Sequence, residues 1–251
     1  NIPVLLLTGY LGSGKTTLLN RILSNRKGIR FAVIVNDIGE VNIDAELIQK
    51  GGVVAQQDDS LIALQNGCIC CSLKMDLVQQ LRDLCATNQF DYIVIEASGI
   101  CEPAPIAQTI SSYPSMVPAS SAPIPVLDAI VSVVDALRLR DEFMVQLSSI
   151  SNNSLPIAKA EDLASLVIEQ IEFCNLILLN KVSEVNEEER KQIISIIRAI
   201  QPKAKIFFIV CCLLELLVVG IIRITLFPVG NRRSKTLLNS DFKHLNFRHD
   251  I

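Results

Sequence analysis

The chain has 251 residues, half of them hydrophobic, which is enough for one large domain with a sizeable core, or for a domain and a fragment of another. Its net charge of −3 and isoelectric point near 5.5 leave no electrostatic case for nucleic acid as a partner. No signal peptide is visible, and eight cysteines without secretory features favour a reducing compartment, so we expect a cytoplasmic protein.

Short apolar runs recur along the chain with helical patterns between them. They predict strands buried on both faces at Val4–Thr8, Phe31–Val35, Tyr92–Glu96, Ala129–Asp135, Leu176–Asn180 and Ile206–Val210. Apolar periodicity predicts helices at Thr17–Leu23, Leu73–Cys85 and Glu187–Ile200, the last with Asn186 as its N-cap. This alternation predicts an α/β fold in which helices flank a doubly wound, mostly parallel sheet.

Two segments stand apart from this alternation. Five Ser and four Pro across Ser111–Pro125 predict a loop. Ile206–Phe227 is very apolar, but Glu215 and Arg223 interrupt it, whereas a membrane-spanning helix needs about 20 predominantly apolar residues. We therefore expect a final buried strand and a packed helix there, and no membrane partner. The predicted organisation is one domain over 1–228, followed by a linker or the start of a further domain over 229–251.

The first predicted strand leads into a phosphate loop, because Gly9–Thr16 fits the pattern G-x-x-x-x-G-K-[ST] at every fixed position. Backbone N–H groups of such a turn, together with a helix N-terminus, form a nest for a polyphosphate. Lys15 would neutralise the β and γ phosphates, and the Thr16 hydroxyl would bind Mg²⁺. The alternative is a glycine-rich turn with no ligand, which the flanking strand and helix disfavour.

Acidic residues follow two further predicted strands. Asp37 and Glu40 come after the second strand, at the sheet edge where ligands bind, and could hold Mg²⁺, orient water or respond to the γ-phosphate as a switch. Glu96 ends the third strand, where phosphate-loop enzymes carry a second carboxylate, and the Gly99 N–H could approach the γ-phosphate. The alternatives are a solvated turn and a buried strand that ends in an acid.

Three thiols lie close together at Cys68, Cys70 and Cys71, where a loop gives way to a helical pattern. Cysteine thiolates are soft ligands that suit Zn²⁺ or Cu⁺, and a helix N-terminus lowers the thiol pKa, so the cluster favours metal binding over three buried small side chains. The remaining thiols are either adjacent in an apolar run or isolated, and they carry no such signal: Cys211, Cys212, Cys85, Cys101 and Cys174.

Asn180 and Lys181 follow a predicted buried strand, as at the start of the guanine-reading pattern N-K-x-D. The Asp of that pattern accepts two hydrogen bonds from guanine, but Ser183 stands in its place here and a hydroxyl is a weaker acceptor than a carboxylate. Either Glu184 replaces the missing carboxylate or base selectivity is relaxed.

Taken together, the motifs resemble the CobW family of phosphate-loop GTPases over most of residues 1–210. They read G-Y-L-G-S-G-K-T-T, N-D-I-G-E, G-C-I-C-C, E-A-S-G-I-C-E-P-A-P, V-V-D-A and L-L-N-K. The resemblance implies a GTP-hydrolysing metallochaperone or metal-insertion factor linked to zinc, cobalt or cobalamin synthesis, with Mg²⁺ at the nucleotide and Zn²⁺ or Co²⁺ as cargo. It also implies a homodimer with the nucleotide near its interface, and a metalloprotein client that the sequence does not identify.

The resemblance also implies roles for residues, position by position. The catalytic group is Lys15, Asp37 and Glu96. The nucleotide-binding group is Gly9, Gly12, Ser13, Gly14, Lys15, Thr16, Thr17, Gly99, Asn180 and Lys181. The metal ligands are Thr16 for Mg²⁺ and Glu40, Cys68, Cys70 and Cys71 for the cargo. The chain departs from the family at Ser183, at Asp37, where many relatives have Glu, and at a histidine-rich stretch reduced to His244 and His249. A phosphate-loop ATPase or small-molecule kinase, and a nucleotide-binding metal sensor, remain as alternatives.

Overall fold

The computed structural model describes residues 1–24, 29–36, 63–65, 73–118, 122–141 and 158–209. Within these ranges the strands are β1 (Ile2–Thr8), β2 (Phe31–Asn36), β3 (Ala63–Gln65), β4 (Tyr92–Ala97), β5 (Pro125–Asp135), β6 (Leu176–Asn180) and β7 (Lys205–Phe208). The helices are α1 (Lys15–Leu23), α2 (Leu73–Thr87), α3 (Pro103–Met116), α4 (Ala158–Glu172) and α5 (Glu187–Ile200), with a 3₁₀ turn at Val182–Glu184. Residues 136–141 are also helical.

The described strands form one parallel sheet in the order β3-β2-β4-β1-β5-β6-β7. The predicted α/β fold is therefore confirmed. Strands β1, β4 and β6 are almost entirely buried, as their unbroken apolar runs predict for parallel strands covered on both faces. Helices α2 and α3 contribute to one apolar cluster, and helices α4 and α5 contribute to another, so the central strands lie between helical layers.

The prediction of a loop over Ser111–Pro125 is wrong at its start, because residues 111–116 form the last turns of α3. Ile106, Ile110 and Tyr113 are buried at helical spacing and pack into the core, which outweighs the low helix propensity of the Ser and Pro residues around them. Pro114 lies close to the C-terminus of the helix, where it removes one backbone hydrogen bond without breaking the helix interior.

The prediction of a buried strand at Ile206–Val210 is also wrong in part. The strand is present as β7, but it lies at the edge of the described sheet, and its two end residues, Lys205 and Phe208, are exposed. Residues from 210 onward, including most of the apolar run and the predicted boundary at 228, lie outside the described residues. None of the helices in the described ranges is long and apolar enough to cross a membrane.

Helix α5 begins as predicted. The Asn186 Oδ1 accepts a hydrogen bond from the Glu189 backbone N–H at 2.9 Å, and the Glu189 Oε2 accepts one from the Asn186 N–H at 2.8 Å. This capping box satisfies two N–H groups at the helix start, and the acidic residues of the first turn complement the helix dipole. The helix is thereby fixed directly after the loop that leaves β6.

Candidate nucleotide-binding site

The phosphate loop leaves the carboxyl end of β1, and α1 begins at Lys15, two residues earlier than predicted. Gly9 has a φ of 135°, and a Cβ at this position would lie 2.2 Å from the Val133 carbonyl oxygen of β5. Gly14 has a φ of 106°, and its Cβ would lie 2.6 Å from the Asn180 Nδ2. Gly9 is therefore required by space as well as by backbone angle, whereas a side chain at Gly14 would be strained in its backbone and would displace the Asn180 amide. Gly12 also has a positive φ.

Lys15 is 7% exposed, and its Nζ donates a hydrogen bond to the Tyr10 carbonyl oxygen at 3.1 Å. The ammonium group thus lies back over the loop rather than in solvent. A buried cation beside a glycine-rich turn and a helix N-terminus gives this part of the loop a preference for an anion. Ser13 is fully buried beneath the loop, whereas Thr17 is exposed on α1.

Thr16 and Glu96 meet at the same edge of the sheet, where the Thr16 Oγ1 donates to the Glu96 Oε1 at 3.1 Å. The pairing of β1 with β4 brings them together, because Leu7 is opposite Glu96 in the register. Glu96 is only 4% exposed. A hydroxyl and a carboxylate are the hard oxygen donors that Mg²⁺ prefers beside nucleotide phosphates, so this pair fits the ion that the sequence implies.

The loop after β4 lies against the phosphate loop. The Cys101 N–H donates to the Ser98 carbonyl oxygen at 3.0 Å and closes a tight turn that contains Gly99. A Cβ on Gly99 would lie 2.6 Å from the Leu11 backbone nitrogen, so only glycine permits this approach. The structure thus brings Gly99 next to the phosphate loop, as its predicted role requires.

Asn180 is bonded to the phosphate loop. Its Nδ2 donates to the Ser13 carbonyl oxygen at 2.8 Å, and its Oδ1 accepts from the Lys181 N–H at 2.9 Å. The Lys181 Nζ lies 2.6 Å from the Asp135 Oδ2, across from the end of β5. Ser183 is exposed in the 3₁₀ turn that follows. Asn180 therefore supports the loop directly.

Three residues of this edge have no role in the sequence-based prediction: Tyr10, Asp135 and Arg138. The Arg138 guanidinium carbon lies 3.8 Å from the centre of the Tyr10 ring, and its Nη1 lies 3.5 Å from the Leu11 carbonyl oxygen. The Arg138 backbone N–H donates to the Asp135 Oδ1 at 3.2 Å. A signal for this group was present in the sequence. Asp135 is an acid at the end of an apolar run, in the motif V-V-D-A, just as Glu96 is an acid near the end of the run that forms β4.

Five predicted site residues lie outside the described residues: Asp37, Glu40, Cys68, Cys70 and Cys71. Among the described ranges there is no group of three or more His, Cys, Asp or Glu residues that could hold a metal ion. The cargo-metal prediction therefore depends entirely on the thiols before α2 and on the acidic segment after β2.

The isolated thiols at Cys85 and Cys174 are buried in the core. Burial raises the pKa of Cys85 to about 11 and that of Cys174 to about 12, because a thiolate is poorly solvated there. A thiol that holds its proton is neither a good nucleophile nor a ready metal ligand. These two cysteines therefore act as small core side chains.

Comparison with known proteins identifies relatives along most of the chain. It is 38% identical over 214 residues to zinc-regulated GTPase metalloprotein activator 1 of Dictyostelium discoideum, a match covering 82% of this chain and 45% of the relative. It is 36% identical over 194 residues to the zinc chaperone YjiA of Escherichia coli, covering 75% of this chain and 52% of that protein. The chain thus spans about half the length of these relatives.

The chain also resembles proteins of known structure. The crystal structure of Zn(II)-bound YjiA GTPase from E. coli matches with a TM-score of 0.54 at 28% identity, over 84% of this chain and 58% of that one. HypB from Helicobacter pylori, solved in complex with nickel, shares the fold with a TM-score of 0.53 at 18% identity, over 89% of this chain and 87% of that one. The family model described as CobW/HypB/UreG, nucleotide-binding domain, matches residues 3–208. With that model matching most of its length, the chain belongs to the CobW/HypB/UreG family.

Proposed function

We propose that this chain is the Mg²⁺-dependent GTP-hydrolysing domain of a metallochaperone whose cargo is Zn²⁺ or Co²⁺. The observation that carries the proposal is the contact of Thr16 with Glu96 beside the buried Lys15 ammonium, at the carboxyl edge of a parallel sheet. This arrangement provides a phosphate nest, a fixed cation and an oxygen pair for a divalent ion within one small region. The names of the relatives, which combine GTPase with zinc, support the same combination here.

Different residues are proposed to contact different parts of the triphosphate and its Mg²⁺ ion. The backbone of the glycine-rich loop orients the polyphosphate, and Lys15 stabilises the negative charge that builds up on the β and γ phosphates. Thr16 and Glu96 would hold Mg²⁺, which when bound neutralises phosphate oxygens. Asp37 follows β2 by one residue and is proposed to orient the attacking water or to report the γ-phosphate as part of the first switch. Gly99 is proposed to contact the γ-phosphate through its backbone.

Base choice is proposed to depend on the loop after β6. Asn180 and Lys181 are held at the site by their bonds to Ser13 and Asp135. The exposed Ser183 offers guanine a hydroxyl instead of a paired carboxylate, so GTP should be preferred over ATP less sharply than by a protein with Asp at this position. Glu184, also exposed in the same turn, is the alternative acceptor.

The cargo metal is proposed to bind Cys68, Cys70 and Cys71, with Glu40 as an oxygen ligand beside them. Thiolate ligands suit Zn²⁺ or Co²⁺, and binding should weaken at low pH because each thiol must lose a proton to become a ligand. If the switch segment contributes to both sites, GTP and the metal must alter each other's affinity by the same factor, typically about 5- to 150-fold. A metalloprotein client and a homodimer with nucleotide at its interface complete the proposal.

The test is hydrolysis of GTP and of ATP, each with and without Zn²⁺, by the wild-type chain and by Lys15→Ala. The proposal expects GTP turnover that responds to Zn²⁺ and is lost in Lys15→Ala. Lys191→Ala, which removes an exposed lysine from α5, is the matched control and should keep wild-type turnover. Turnover that survives in Lys15→Ala would contradict the phosphate-loop assignment, whereas preferential ATP turnover would favour the ATPase or kinase alternative.

Metal binding is tested separately by titrating Zn²⁺ into the chain in the empty, GDP-bound and GTP-analogue-bound states. We expect one tightly bound ion per chain, lost when Cys68, Cys70 and Cys71 are replaced together by Ala and retained in the control Cys85→Ala, which removes a core thiol. Equal Zn²⁺ affinity in all three nucleotide states would show that the two sites are not coupled. Metal binding without turnover would instead favour the sensor alternative.

A further inference from the structure

Gln170 is a polar side chain in the core whose position the sequence does not explain. It lies on α4 and is 1% exposed, and its Nε2 donates to the Gly99 carbonyl oxygen at 3.1 Å and to the Cys101 carbonyl oxygen at 3.4 Å. Burying an amide is costly unless its hydrogen bonds are made. Both of these hydrogen bonds go to a single tight turn, the one that follows β4.

The turn that Gln170 holds lies at the carboxyl edge of the sheet, beside the phosphate loop. It is closed by the bond from the Cys101 N–H to the Ser98 oxygen, and its Gly99 approaches the phosphate loop so closely that an added Cβ would lie 2.6 Å from the Leu11 nitrogen. The turn therefore packs closely against the phosphate loop and is also hydrogen-bonded to Gln170.

Helix α4 is a rigid support for the amide. Val167 and Ile171, which flank Gln170 along the helix, are 7% and 0% exposed and belong to the apolar cluster that also contains side chains of α5. A side chain anchored between two core residues has little freedom to move, because protein interiors are close-packed. Displacing the turn would therefore require breaking both amide bonds or moving the helix.

We propose that Gln170 is a positioning residue that holds the Ser98–Cys101 turn where its backbone meets the terminal phosphate of a bound nucleoside triphosphate. The inference rests on the proposed function, and it adds a role for a buried residue of α4 that is hydrogen-bonded to the turn. Gln170 acts through the turn and does not touch the nucleotide. Because only the triphosphate reaches the turn, loss of the amide donor weakens triphosphate binding and turnover and leaves diphosphate binding nearly unchanged.

The test uses Gln170→Met, which keeps the length of the side chain and removes its N–H donors. We expect affinity for a non-hydrolysable GTP analogue and the turnover number for GTP each to fall about tenfold, the order expected for hydrogen bonds lost from a buried site, while GDP affinity stays within about twofold. The matched control is Thr109→Val, which removes the hydrogen bond from the hydroxyl of a buried residue to the Pro105 oxygen within α3 and should leave the ratio of the two affinities unchanged.

A second variant, Gln170→Ala, keeps the inference testable if Gln170→Met does not fold. Gln170 lines a cavity of about 20 Å³ together with Ser132 and Tyr10, and Gln170→Ala would enlarge it enough for water to reach the two carbonyl oxygens. This variant should also lose analogue affinity selectively, because a mobile water does not fix the turn. Thermal melts of all variants report stability separately from binding.

Equal loss of GDP and analogue affinity in both Gln170 variants would show a purely structural role and overturn the inference. Variants that match a wild-type GTPase in every measurement would also overturn it while leaving the proposed function intact. A wild-type chain that neither binds nor hydrolyses GTP would overturn the proposed function, and this inference with it.

Discussion

Asn180→Ala tests whether the loop after β6 holds the phosphate loop in its binding conformation. The substitution removes two hydrogen bonds, from the Nδ2 to the Ser13 oxygen at 2.8 Å and from the Lys181 N–H to the Oδ1 at 2.9 Å. At about 0.5–1.5 kcal/mol for each bond, the free energy of unfolding should fall by about 1–3 kcal/mol. For a domain of this size that corresponds to a melting temperature lower by about 2–12 °C.

The same substitution should weaken nucleotide binding. With the Ser13 carbonyl released, the phosphate loop samples other conformations, and a bound nucleotide must restore the original one. If the full cost appears in binding, affinity for GDP and for a GTP analogue should each fall by about 5- to 150-fold, which is the same 1–3 kcal/mol expressed as an equilibrium constant. Titration with a fluorescent GDP derivative measures this change directly.

Asn186→Ala is the matched control, because it makes the same exchange of residue type a few positions later. It removes the side-chain cap at the start of α5, where the Oδ1 accepts from the Glu189 N–H at 2.9 Å, and such caps contribute about 1 kcal/mol. The control should therefore lose stability without losing nucleotide affinity. An Asn180→Ala protein with wild-type affinity, or a control that loses as much affinity as Asn180→Ala, would refute the reasoning.

Three further outcomes are expected. Ser183→Asp should sharpen the preference for GTP over ATP, and an unchanged ratio in competition binding would contradict our account of the base site. Cys85 and Cys174 should resist iodoacetamide at pH 8 in the folded protein and react once it is unfolded, because their raised pKa values keep both thiols protonated. Peptide mass identifies the labelled cysteines, and labelling of either of these two in the native protein would contradict the prediction. Gly9→Ala should lower the free energy of unfolding by about 1–3 kcal/mol or more, because the new Cβ would clash with the Val133 carbonyl oxygen. A wild-type melting temperature would contradict that clash.

Most of the strands and the phosphate loop could be predicted from the sequence because both depend on local patterns. Apolar runs identified most of the strands, and the fixed spacing of the phosphate-loop pattern placed Lys15 and Thr16 before any tertiary information was used. Strand β3 was missed because three residues carry too short a pattern to distinguish a strand from a loop. The end of α3 was missed because tertiary packing outweighs its Pro and Ser composition.

The contacts that sequence reasoning missed join elements that are far apart in the chain. The Gln170 amide bonds to a turn about seventy residues earlier, and the Lys181 ammonium pairs with Asp135 from the neighbouring strand. Neither side chain lies in a pattern whose period or spacing reports a partner. Such pairs follow only from strand order and register, which a single sequence does not encode locally.

Register also explains why Glu96, a proposed Mg²⁺ ligand, lies beside the phosphate loop. It meets Thr16 because Leu7 of β1 is opposite Glu96 of β4, and that alignment is fixed by buried neighbours such as Leu6 and Ile95, both fully excluded from solvent. A slip of one residue between β1 and β4 would turn every side chain of the slipped strand to the other face, where it would meet the opposite helical layer and disrupt the packing of both apolar clusters. The same apolar residues that stabilise the sheet therefore hold the carboxylate beside the phosphate loop, and the core cannot shift without moving the proposed Mg²⁺ ligands apart.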